Sequence, residues 1–175
     1  TLGWFNDPIL STTLNHNEEA IVDTLIHEIV HSTVWIPNHV SFNETMANVI
    51  AGLATIMFYE RENGDSQSKA QAARKTLETQ LRYADHIARL EEELRLLYEL
   101  CEEVECSPSD RVGKEVLKMR EIIFNDASYR WTQSLDAERQ QKVGHKTNTL
   151  NNAVIVARRL YLDRPQLFME LFTKK

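Results

Sequence analysis

No lysine or arginine occurs before Arg61, although the 175-residue chain carries 20 basic and 26 acidic side chains. The first 60 residues hold seven acids (Asp7, Glu18, Glu19, Asp23, Glu28, Glu44 and Glu60), and the remaining 115 hold 20 basic and 19 acidic groups. An acidic segment without cations repels phosphate, which argues against a nucleic-acid partner. It favours divalent cations and positively charged groups such as a free amine. Long apolar runs are also lacking: no stretch reaches the ~20 residues that span a bilayer, and Thr1 opens no secretory signal. Glycine and proline are scarce, with five and four residues, while 42% of the chain is apolar. That balance predicts one ordered, mainly α domain over 1–175 with enough chain for a core. Cysteine is nearly absent, which excludes a disulfide framework. Cys101 and Cys106 have neither redox-motif nor zinc-ligand spacing and read as two buried or idle thiols.

What is present is concentrated early. His27-Glu28-Ile29-Val30-His31 is an H-E-x-x-H element inside a run that reads as helix. Residues four apart lie above one another on a helix, so both imidazoles can reach one metal. Glu28 sits roughly 100° around from His27, near enough to hold a water without ligating the metal. Ile21, Val22, Leu25, Ile26, Ile29, Val30 and Thr33 make one half of the wheel, expected to face the core. Ala20, Asp23, Thr24, His27, Glu28 and His31 make the other. Asn17 is the expected N-cap, Glu18 and Glu19 suit a first turn, and Pro37 closes the segment. The bland alternative is an amphipathic helix with two solvated histidines.

Glu44 lies 13 residues beyond His31, at the start of a second helical run ending near Gly64. Met46, Val49, Ile50, Leu53, Ile56 and Met57 form its greasy side; Glu44, Asn48, Ala51, Gly52 and Thr55 share a side with little bulk. Small residues permit close helix approach, so Glu44 could meet the two histidines. Two His and one carboxylate leave the fourth tetrahedral position open, as a catalytic zinc site requires. The competing use of Glu44 is a capping box with Ser41.

Three segments follow from pattern. Residues 1–64 form the metal-site core, 65–140 a helical hairpin, and 141–175 C-terminal helices. From Ser66 to Val104 there is no Gly or Pro, and Leu77, Leu81, Ala84, Ala88, Glu91, Leu94, Leu97, Cys101 and Val104 recur at three or four. That predicts a helix of roughly 55–60 Å. Ser107-Pro108-Ser109 breaks it, and about 113–135 folds back antiparallel; a dimeric coiled coil is the competitor. His86 reads as a surface residue. Asn151 and Asn152 read as caps or as polar donors at the site, with Tyr161 and His145 as further candidates to stabilise an oxyanion. Thr1–Phe5 reads as the interior of a strand, so the chain is expected to be part of something longer.

Gly3-Trp4-Phe5 with Asp7-Pro8, the His27–His31 motif, Phe42-Asn43-Glu44, and Leu150-Asn151-Asn152-Ala153 ahead of Tyr161 and Pro165 together carry a resemblance. The chain resembles the C-terminal half of a bacterial family described as aminopeptidases of predicted zincin fold. The resemblance implies one zinc held by His27, His31 and Glu44, with Glu28 as general base and a location in the cell envelope. Members typically carry an N-terminal segment that can hold a signal or lipid anchor, which would be the route to any membrane association. In the broader thermolysin-like class an Asp commonly follows the third ligand by four residues and orients a histidine. Asn48 stands there in this chain and would accept the same bond without charge; Asn43 is the candidate to orient the other histidine.

The expected architecture is therefore a zincin-like pair of active-site helices behind a short N-terminal β element, followed by a long hairpin and C-terminal helices. The expected function is zinc-dependent hydrolysis of peptide bonds. The alternative is a non-catalytic helical interaction module in which a metal steadies the first two helices.

Overall fold

The computed structural model describes residues 15–61, 66–137, 140 and 150–173. No strand occurs among the described residues, and the chain is mainly α as its composition predicts. The expected N-terminal β element lies outside them. The helices are α1 (Glu18–Thr33), α2 (Val40–Arg61), α3 (Ser66–Glu103), α4 (Arg111–Ser134), α5 (Asn152–Tyr161) and α6 (Pro165–Thr173). The chain divides into two compact units, Thr1–Ala84 with Leu160–Lys175, and Asp85–Arg159.

In the first unit, α1 starts where its cap signal lies: the Asn17 side chain accepts from the Ala20 N–H at 3.1 Å. The α1–α2 connection is a turn at Pro37-Asn38, with Asn38 at φ 65° and the His39 N–H donating to Ile36 O at 3.3 Å. Proline presets its first central residue and asparagine tolerates the left-handed second. α2 is buried almost all round, at Asn43, Thr45, Ala47, Val49, Ala51, Gly52, Thr55, Ile56 and Tyr59. Its small residues are where neighbours come closest: a Cβ on Gly52 would lie 2.9 Å from Leu77 Cδ1 of α3. Ile56, Ala73 and Leu77 form a core cluster with Leu53, Leu81 and Met169 packed on it. Each such Leu or Ile contributes about 1.5–3 kcal/mol through burial. α6 closes over the start of α2 through Phe42 and Phe168, whose rings stand 5.1 Å apart. The Asp163 N–H donates to Thr45 Oγ1 at 3.0 Å.

Two readings of α1 and α2 change. The apolar half of α1 does not form the core: Ile29 is 60% and Leu25 39% exposed, while His31 is buried. The polar arc turns inward because α2 offers it small side chains and a carboxylate instead of bulk. α2 also begins at Val40, so Ser41 lies within the helix and no capping box forms with Glu44.

The second unit is held by the latter part of α3 against α4 and α5. Ile87 and Leu90 are fully buried, with Leu94, Phe124, Ala127 and Ile155 nearly so. α3 spans 38 residues, about 57 Å, as its spacing predicts. The buried seam differs, running through Ile87 and Leu90 instead of Ala88 and Glu91, which are exposed. Two adjacent stripes both fit a three-four spacing; the one carrying Ile and Leu wins because it removes more apolar area from water and leaves the carboxylate solvated. His86 is half-buried, its ring 5.4 Å from that of Trp131, and burial holds its imidazole below the usual range. Arg130 grips Glu93 through both amines at 2.9 and 2.7 Å.

Cys101 and Cys106 form a disulfide, against the expectation of idle thiols. On a continuing helix, side chains five apart point about 140° apart. Here the helix ends in a Schellman motif, with Cys106 N–H on Cys101 O at 2.9 Å, Glu105 N–H on Glu102 O at 3.0 Å, and Glu105 at φ 51°. The reversal brings the two Cα atoms to 5.1 Å. Asp110 then caps α4, accepting from the Gly113 N–H at 2.7 Å.

Candidate metal centre

α1 supplies His27 and His31 one turn apart, and α2 supplies Glu44. The Nε2 atoms of the two histidines are 2.9 Å apart. Glu44 Oε2 is 3.4 Å from His27 Nε2, and Glu44 Oε1 is 3.4 Å from His31 Nε2. Among the described residues this is the set of three or more His, Cys, Asp or Glu donors lying within 4.8 Å of one another. Bonds of 2.0–2.1 Å at tetrahedral angles set neighbouring donors about 3.3–3.4 Å apart. Three donors at nearly that spacing therefore fit one small cation. The side chains are 15%, 8% and 16% exposed, so the centre is sheltered with one open side.

Other predicted residues are placed variously. Glu28 lies on the exposed side of α1, directly after His27, and is outside the donor set. Asn43 was expected to orient a histidine. Instead it is fully buried and spends both ends of its amide on Ile36, whose N–H donates to Oδ1 at 2.9 Å and whose carbonyl accepts from Nδ2 at 2.7 Å. It ties the α1–α2 turn and so sets where Glu44 starts. Asn48 donates to the Tyr161 carbonyl at 2.9 Å, anchoring the C-terminal segment one turn from Glu44. That use of Nδ2 suits a surface where α5 ends and its last carbonyls need donors. The Tyr161 ring is 48% exposed. Asn151 and Asn152 belong to the second unit: Asn151 caps α5, accepting from the Val154 N–H at 3.0 Å, and Asn152 exchanges hydrogen bonds with the Tyr98 hydroxyl. His145 lies outside the described residues.

Sequence reasoning missed Trp35, whose ring lies 5.5 Å from that of His31. The i, i+4 spacing was the available signal. It also missed how far α3 neutralises the acidic segment. Lys69 pairs with Glu18 at 2.6 Å, and Arg74 pairs with Glu60. The lysine bond, then the Tyr59 hydroxyl, holds the Glu18 carboxyl below its usual range. His31 Nδ1 is buried without a hydrogen-bond partner among the described residues.

The geometry defines a class first: a helical protein with a two-histidine, one-carboxylate centre that could hold a metal, built across neighbouring helices. A family model described as "Putative aminopeptidase" matches residues 1–175, and the chain belongs to that family. No curated protein and no solved structure matches it.

Proposed function

We propose that the chain is a zinc-dependent peptidase that hydrolyses peptide bonds. The observation that carries this is the convergence of His27, His31 and Glu44 at tetrahedral spacing, beside a carboxylate not counted among them. Mixed nitrogen and oxygen donors, three in number, suit catalytic zinc with one position left open. When bound, zinc supplies Lewis acidity: it polarises a carbonyl and lowers the pKa of water. The chain's own residues do the rest. Glu28 accepts a proton from the attacking water and hands it to the departing amine nitrogen as the C–N bond breaks, giving a carboxylate and a free amine. His27, His31 and Glu44 fix the geometry.

The family description supports an aminopeptidase, as does the supply of acids on α1 that no arginine or lysine answers. Envelope location is our reading from the family resemblance, and the Cys101–Cys106 disulfide supports it, since such bonds persist in oxidising compartments. A second reading is a helical interaction module with a structural metal, favoured by the exposed Leu96, Leu100, Val104 and Ile122 of the second unit.

Glu28→Gln tests the proposal. The isosteric amide cannot take a proton, so peptide hydrolysis should fall about 10²–10⁴-fold with zinc content and melting unchanged. Glu44→Gln should instead lower zinc content itself. Undiminished hydrolysis by Glu28→Gln would sink the mechanism, and a zinc-loaded parent without any hydrolysis would favour the interaction module.

A further inference from the structure

A cavity of about 420 Å³ opens in the first unit among α1, α2 and α3, and none of the three metal-donor residues lines it. Its walls include Ala20, Gly52, Ala73 and Leu77, small or apolar side chains that suit an alkyl chain. Two polar groups in the lining stand out. Asp23, half-buried and one helical turn before His27, makes no hydrogen bond or ion pair among the described residues; burial pushes its carboxyl above the usual range, and His27 only partly offsets this. Thr55 is 2% exposed, and its hydroxyl has no hydrogen-bond partner.

The chemistry of an occupant follows. No lysine or arginine lines the cavity, and the nearby cations of α3, Lys69 and Arg74, are engaged by Glu18 and Glu60. A divalent ion is poorly served, because the lining residues His16, Glu19 and Asp23 do not form a compact donor set. An anion would be drawn to the α1 N-terminus, but Asn17, Glu18 and Glu19 already answer it and Asp23 would repel the newcomer. What complements the site is a single positive charge on a hydrocarbon arm.

We propose that this cavity is a subsite for an alkylammonium group of the substrate, received by Asp23 and Thr55. The word substrate rests on the peptidase reading; the subsite does not. An α-amine lies about 2.5 Å from the first carbonyl carbon of a peptide. Asp23 is one turn, about 6 Å along the axis, from His27. A lysine side chain spans that gap, so the geometry favours its ammonium over the terminal amine.

The test begins with binding. The full chain is titrated with n-butylammonium chloride and with n-butanol, followed by chemical shifts of the α1–α3 lining, for the parent, Asp23→Asn and Thr55→Val. Butylammonium should bind saturably and butanol should not. Asp23→Asn should weaken binding about tenfold or more, and Thr55→Val by less. Asp23→Asn should also melt above the parent, because a desolvated carboxylate without a partner is removed. Equal binding of butanol, unchanged binding by Asp23→Asn, or a lower melting temperature for that variant would each overturn the subsite. A second arm compares KM for a lysine peptide, its norleucine counterpart and its N-acetylated counterpart. A rise with norleucine assigns the side chain, a rise only on acetylation assigns the terminal amine, and equal KM for all three overturns the proposal. A chain that binds butylammonium yet hydrolyses nothing loses the peptidase reading and keeps the subsite; the opposite pattern does the reverse.

Discussion

Asn43 and Glu44 are neighbours in the chain with separate tasks. Glu44 points its carboxylate at the two imidazoles, while Asn43 turns inward and closes two hydrogen bonds on the Ile36 backbone. Asn43→Ala would leave the Ile36 N–H without its partner and open a void at a fully buried position. We expect a loss of about 2–3 kcal/mol in chemical denaturation, together with weaker zinc retention because Glu44 loses its fixed start. Unchanged stability would show that water or a neighbour replaces the amide. The ligand residues were legible because a helical period of 3.6 fixes which side chains share a face. Asn43 was misassigned because sequence order gives no direction for a buried amide, which bonds whatever backbone it meets. The inward turn of the α1 histidines was hidden for a related reason: an apolar stripe shows what would bury well, and the neighbour that covers a face is set by tertiary packing.

At the scale of elements, helix lengths followed from the absence of Gly and Pro, while helix ends depended on backbone reversals that composition does not announce. α3 is the clearest case. Its length was readable, but its closing motif places a glutamate, Glu105, in the left-handed region that glycine usually occupies. That reversal is what aligns Cys101 with Cys106. Reducing the disulfide should cost the hairpin unit about 2 kcal/mol, the loop-entropy value for so short a closure. Urea unfolding with and without a phosphine reductant measures it, and coincident midpoints would show that the Schellman bonds alone hold the turn. Just beyond, Gly113 has no room for a side chain, since a Cβ would fall on the Ser107 carbonyl.

For the whole molecule, the uneven charge of the sequence becomes a question of which acids are answered. Glu18 and Glu60 are paired by α3, and Tyr59, buried at 2% exposure, donates its hydroxyl to Glu18 at 3.2 Å. Burial, and then the Glu18 bond, pushes the Tyr59 phenol from 10.0 up to about 12. The folded state thus favours the neutral phenol. Its contribution is complete below the unfolded value near 10 and is lost as pH rises towards about 12. Denaturation midpoints should fall across that window, and Tyr59→Phe should flatten the fall; an identical slope in the variant would place the sensitivity elsewhere. The excess of acid in the first 60 residues was plain in the sequence. Its partial neutralisation was not, because the answering cations lie on a helix that follows later in the chain.

The near-complete burial of α2 bears on how this lineage can vary. A helix packed on most sides, with Ala47 and Ala51 fully covered and Gly52 against Leu77, accepts few replacements without disturbing a neighbour. Innovation in what the site acts on is therefore channelled to α1 and α3, whose cavity-lining positions can change one at a time. The helix that carries Glu44 is the conservative partner, and divergence among descendants should be written around it.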